Sequence, residues 1–355
     1  MKKLKVIATL CCIFLVASLV AKDKTKKAGN LTPYTIPLPS YVKDYFDTMR
    51  LDPQNPLTEE GIALGRKLFY DKRLSSNNTI SCGSCHKQQF AFTDNKSFSL
   101  GVGDSTGIIN AMPLFNLGWG KNFFWDGRAP SLAEQAHDPV VNPIEMANTW
   151  GNVIVKLQAD KTYPLAFKKI FGSDKINAGM VMKAIAQFEL TLISFNTRFD
   201  KYYFEGQADV LTPQEEHGLD IFFGYGNCNH CHSDILLTDN FFRNNGLDSI
   251  PVPGLYNTTG NETDRGRLKV PSLRNIALTA PYMHDGRFKT LEQVLNFYSN
   301  GIHQNSKNID MHMIPFAKGL QLSPEQKADL IAFLNVLTDS SFVKNKAFSD
   351  PNLNK

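Results

Sequence analysis

Cys82-Gly-Ser-Cys85-His86 returns later in the chain as Cys228-Asn-His-Cys231-His232. Cys-x-x-Cys-His is the attachment signature of c-type haem. Two thiols add across the porphyrin vinyl groups, and the adjacent histidine ligates iron. A zinc site would need four ligands close together, and a thioredoxin-like redox pair has no use for the histidine. The two copies use every cysteine of the chain except Cys11 and Cys12. Both copies therefore read as covalent haem sites rather than as a pair of disulfides.

The repetition extends beyond the cysteines. Thr93-Asp94-Asn95 follows the first motif and Thr238-Asp239-Asn240 the second. Trp125-Asp126-Gly127-Arg128 is matched by His284-Asp285-Gly286-Arg287, and each is followed by a capping-box start, Ser131…Glu134 and Thr290…Gln293. Helices are signalled at 58–70 and at 212–223, where Thr212-Pro213 supplies an N-cap and a first-turn proline. Residues 178–203 carry Val181, Ile185, Phe188, Leu192, Phe195 and Phe199 at helical spacing and read as one helix closing the first half. Ser323-Pro324-Glu325-Gln326 opens a last helix. No alternating strand runs stand out. The expected fold is mainly α: two cytochrome c-like helical domains with long loops, each carrying one covalently bound haem c. The expected boundaries are 57–205 and 206–345, after a proline-rich extended segment at 22–56 and before a tail at 346–355.

The chain has 355 residues, 42% hydrophobic and 20% charged, which excludes disordered, collagen-like and polytopic membrane classes. Its formal charge of +4 is concentrated at the N-terminus, where residues 1–27 hold seven lysines and one acid. Without them 31 basic and 33 acidic residues remain, so nothing points to nucleic acid. Met1–Lys5 is basic, Val6–Ala21 is sixteen residues with no charge, and Ala17, Ser18 and Ala21 are small. That pattern reads as a secretory signal peptide at 1–21, giving an exported, periplasmic protein. A membrane tether follows only if this leader stays uncleaved, since a span takes about 20 residues.

With these residues assembled, the sequence resembles the bacterial di-haem cytochrome c peroxidase family, which includes the MauG-type enzymes. The resemblance covers about residues 57–340. It rests on Leu64-Gly-Arg-Lys-Leu-Phe-Tyr70, both haem motifs, Phe124-Trp-Asp-Gly-Arg128, Asn142-Pro-Ile-Glu-Met146 and Ala280-Pro-Tyr-Met-His-Asp-Gly-Arg287. It implies that the N-terminal haem cleaves peroxide while the C-terminal haem handles electrons. His86 and His232 become the proximal ligands, and Trp125 the ring between the haems. Glu145 matches the distal carboxylate and Gln135 its amide neighbour. By its own context Glu145 would read as a solvated loop acid, and His137 is the runner-up base. Asn110, Thr279 and Pro281 match a calcium site, where an amide oxygen and backbone carbonyls suit a hard cation.

The sequence departs from the family in two places. Where many of the peroxidases carry a loop histidine on the open side of the N-terminal haem, this chain reads Ser99-Leu-Gly-Val102-Gly103. Where most carry a methionine ligand for the C-terminal haem, it has Tyr298, as in the MauG-type enzymes, with Met311 and Met313 as alternatives. The leading expectation is a peroxidase reducing hydrogen peroxide to water with electrons from a small cytochrome c or similar donor. The alternatives are a MauG-like enzyme that spends peroxide equivalents on a protein or other substrate, and a non-catalytic di-haem electron carrier. A homodimer is left open.

Overall fold

The computed structural model describes residues 30–352 except 47 and 317, so the expected signal peptide lies outside the described residues. The fold is mainly helical, with one two-residue strand pair in which Phe242–Arg243 runs antiparallel to Leu268–Lys269.

The first half is organised by the helix Glu59–Phe69 crossing the helix Ala178–Glu189. Thr58 caps the former, its hydroxyl accepting from the Gly61 N–H at 3.0 Å. Glu59 and Glu60 occupy the positive end, and Arg66 and Lys67 the negative end. Leu64, Leu68 and Phe69 point inward. The second half repeats the arrangement with Pro213–Phe223 crossing Pro324–Val336. The likeness reaches individual contacts. A Cβ on Gly65 would lie 1.9 Å from the Ala184 carbonyl oxygen, and one on Gly218 would lie 2.0 Å from that of Asp329. Four residues beyond each glycine, Phe69 meets Phe188 edge-on at 5.3 Å and Phe222 meets Phe333 at 5.2 Å. The turns after the crossings also match. Phe123 bridges Ala129 and Tyr282 bridges Phe288, while Phe124 and Met283 hold φ of 69° and 71°.

The structure divides the expected 178–203 helix. Its first part ends at Glu189, and a new helix, Arg198–Tyr203, begins at the Thr197–Asp200 capping box. Sideways bonds hold residues 192–196 extended. The Asn116 side chain bonds Ser194 through both its oxygen and its nitrogen, and Asp339 accepts from Ser194 and Asn196. The apolar periodicity survives the break, which is why it concealed it. Asp200 then pairs with Arg274 at 2.7 Å, both side chains fully buried.

The chain end crosses back to the first half. Phe342 and Phe348, the latter in the segment read as a tail, join the core built from Leu64 to Leu192. Tyr70 donates to the Phe348 carbonyl at 2.6 Å, and Arg66 to that of Ser349 at 2.7 Å. Burying a phenylalanine contributes about 1.5–3 kcal/mol, enough to anchor the return.

Candidate active site

A cavity of 840 Å³ opens beneath the first motif, lined by Cys82, Cys85 and His86 together with Trp125, Gln135 and Glu145. A second, of 230 Å³, is lined by Cys228, Cys231 and His232 with Tyr298 and Met313. None of these four cysteines is in a disulfide. Burial pushes all four thiols up, Cys228 to about 12 and Cys231 to about 11. The His86 Nδ1 lies 2.7 Å from the Phe92 carbonyl oxygen and the His232 Nδ1 3.1 Å from that of Pro271. Burial lowers both imidazoles, His232 to about 4, which keeps them neutral. A neutral imidazole held at one nitrogen by a backbone carbonyl is the form that ligates a metal. Paired thiols and a neutral histidine facing a cavity, twice over, fit a haem c in each half.

The loop 142–146 brings Glu145 to the first cavity. Asn142 donates to Glu145 Oε1 at 2.6 Å, and buried Met146 anchors the loop beneath. Burial raises the Glu145 pKa above the usual carboxylate range, opposed by the Asn142 hydrogen bond. The segment 99–103 lies directly against this loop, with the Val102 N–H bonded to the Glu145 carbonyl at 2.8 Å. A Cβ on Gly101 would come within 2.2 Å of the Ile144 carbonyl oxygen, so only glycine permits this approach. Leu100 and Gly101 line the cavity, whereas Val102 is not among its lining residues. His137, the runner-up base, is exposed. It accepts from Trp150 Nε1 at 2.8 Å and does not line the cavity.

Tyr298 sits in a single π-helical turn, Phe297–Gly301, a distortion often found at functional sites. Its hydroxyl accepts from Asn245 Nδ2 at 3.0 Å, and burial pushes its pKa up to about 12. Of the alternative methionines, Met313 lines the same cavity, while Met311 is 72% exposed.

Trp125 lines both cavities and is itself buried. Its indole N–H donates to the Asn110 carbonyl at 2.9 Å, and its own carbonyl accepts from the Lys269 N–H at 2.9 Å. Asn110 is held further by its N–H to the His284 carbonyl at 2.7 Å and its side-chain amide to the Lys96 carbonyl at 2.8 Å. Thr279 is buried, its hydroxyl bonded to the Ile276 carbonyl. Among the described residues no group of three or more His, Cys, Asp or Glu could hold a metal ion. A cation near Asn110, Thr279 and Pro281 would thus depend on amide and carbonyl oxygens.

Sequence reasoning passed over three residues here: Asn142, which orients Glu145, Lys269, and Glu189. Glu189 lines the first cavity with one buried carboxyl oxygen lacking a hydrogen-bond partner among the described residues. Burial pushes its pKa up to about 8. A signal was available, because Glu189 lies on the stripe of Val181, Ile185 and Phe188.

The sequence profile of the di-haem cytochrome c peroxidase family matches residues 59–209. The methylamine utilization protein MauG of Methylorubrum extorquens is 35% identical over 296 residues, 80% of this chain and 79% of that protein. The chain belongs to the di-haem cytochrome c peroxidase family. Cytochrome c551 peroxidase of Nitrosomonas europaea is 41% identical over 65% of this chain and 70% of its own length. A solved MauG-like protein associated with microbial copper homeostasis superposes with a TM-score of 0.81 at 35% identity, covering 90% of this chain and 99% of that one. The di-haem peroxidase BthA of Burkholderia thailandensis shares the fold, with a TM-score of 0.73 over 84% of this chain and 93% of its own. Membership makes this chain an oxidoreductase of the cytochrome c peroxidase type and implies two haems. No helix among the described residues is long and apolar enough to cross a membrane.

Proposed function

We propose that this chain is an exported, periplasmic peroxidase that holds one haem c on Cys82, Cys85 and His86 and another on Cys228, Cys231 and His232. Its reaction takes hydrogen peroxide, two electrons and two protons to two waters. The observation that carries the reading is Glu145, a half-buried carboxyl of raised pKa in the same cavity as the first cysteine pair and histidine. The haems, when bound, supply the redox equivalents. The protein's part is to place and move protons. Glu145 takes the proton from one peroxide oxygen and returns it to the departing one, and its raised pKa suits it to both tasks. Asn142 fixes which carboxyl oxygen faces the cavity, and Gln135 offers an amide beside it. Trp125, on the wall common to both cavities, relays electrons between them. A small cytochrome c or similar protein donates those electrons. Asn110, Thr279 and Pro281 hold a calcium ion between the halves.

One observation favours a MauG-like variant of this reading. Tyr298 lines the second cavity with its hydroxyl accepting from Asn245, and on binding iron it would give up its proton and act as an anionic ligand that favours higher oxidation states. The electron-carrier alternative leaves a half-buried acid of raised pKa beside the first site without a task.

The test is a stopped-flow mix of fully oxidised protein with peroxide. No histidine lies between His86 and His137, and Gly101 and Leu100 face the cavity where a loop ligand would reach. The N-terminal haem should therefore be high-spin and react at once, without prior reduction. Two low-spin haems that stay inert until an electron is added would refute this.

A further inference from the structure

The wall between the cavities carries a cation with no counter-ion. Lys269 lines both cavities and is 8% exposed. Its backbone N–H is fixed to the Trp125 carbonyl at 2.9 Å. Its ammonium lies 5.2 Å from the centre of the Phe242 ring and donates to the Lys121 carbonyl at 2.7 Å. That bond satisfies one of its three donors.

The other lysine and arginine side chains lining these cavities are all paired with acids. Arg128 holds Asp126 and Asp138. Arg287 holds Asp248 and Asp285. Arg243 holds Asp239 and Asp310. Of these cavity-lining cations, Lys269 alone forms no ion pair with a described residue. A buried ammonium without an anion is costly and sheds its proton instead. Burial accordingly pushes Lys269 down to about 8, with nearby Asp239 opposing the shift and Lys121 adding to it. Asp239 is itself committed to Arg243. An apolar residue would fill this position at less cost unless an anion arrives beside it.

Haem brings two propionate carboxylates. We infer that Lys269 is the propionate-binding cation at the wall between the two haems, seated beside Trp125 so that its charge acts where electrons cross. This rests on the reading that both cavities hold haem. Lys269 is a positioning residue in this role. It secures a propionate and favours the reduced, less positive haem next to it, which raises that haem's potential.

The experiment is spectroelectrochemistry and resonance Raman on the haem-loaded protein, comparing wild type with Lys269→Met and Lys269→Arg. Lys269→Met should keep two haems by intact mass, lower the reduction potential of at least one and shift a propionate bending band. Lys269→Arg should retain the charge and stay closer to wild type in both readouts. Two retained haems with unchanged potentials and an unchanged propionate band in Lys269→Met would overturn the inference. A wild-type protein without two haems would instead overturn the reading beneath it. Should Lys269→Met fail to fold, a crystal structure of the haem-loaded wild type gives the answer without a variant. The prediction is Lys269 Nζ within hydrogen-bond distance of a propionate oxygen. Backbone carbonyls alone around Nζ would overturn it.

Discussion

Glu145 is lifted by burial and held down by the hydrogen bond from Asn142, with Arg128 lowering and Asp138 raising its proton affinity further. Glu145→Gln keeps the shape and removes the base. Peroxide cleavage in single-turnover kinetics should slow by about 10²–10⁴-fold, the usual contribution of a positioned acid–base group. A rate close to wild type would pass the role to water, since His137 is bonded away to Trp150. Tyr298→Phe should vacate a coordination position of the second haem, raise its potential and change its ferric spectrum. Met313→Ala should leave that spectrum intact, and the reverse pattern would make methionine the ligand. Glu189 supplies a pH dependence. Its pKa of about 8 lies above the unfolded value, so the native state holds the extra proton between roughly pH 4 and 8. Stability from this group is complete below that window and is lost as pH rises through it. Glu189→Gln should flatten the fall in melting temperature across the window, and an unchanged slope would remove Glu189 as its cause. Cysteines and histidines were legible in the sequence because attachment chemistry fixes their spacing. Glu189 was legible only as an acid on an apolar stripe, and Lys269 not at all, because what marks both is a missing partner, and partners appear only when the chain folds.

At the scale of elements, the two crossings are the same device used twice. Gly65 and Gly218 let one helix touch the backbone of the other, with no room for a methyl group. Gly65→Ala and Gly218→Ala should each destabilise by about 1–3 kcal/mol, the range for overpacking. Chemical denaturation followed at the haem absorption of each half would register it. Little effect from either would mean the helices separate easily and the crossing is not a fixed contact. The helix starts read at Thr212, Thr290 and Ser323 sit where expected, each with a capping box, whereas the box read at Ser131 forms only its first half, the Ser131 hydroxyl accepting from the Glu134 N–H. The break after Glu189 was not. It depends on Asn116 and Asp339, residues remote in sequence that take the backbone bonds of 192–196 away from a helix.

For the whole molecule, two repeated halves meet at Trp125, and the chain end ties back across them through Phe342 and Phe348. The duplication was legible because its motifs recur in order. The return of the chain end was not, since Phe342 and Phe348 carry no signal of which core they enter. Each half is expected to carry a covalently bound haem, which intact mass after acid–acetone extraction measures. Protein matured in a host that attaches haem c should retain two haem masses. Cys82→Ala and Cys228→Ala should each leave one haem on a single thioether, whereas replacing both cysteines of one motif should let denaturing extraction draw haem from that half only. Release of all haem from the wild-type chain would mean that neither cysteine pair holds haem covalently.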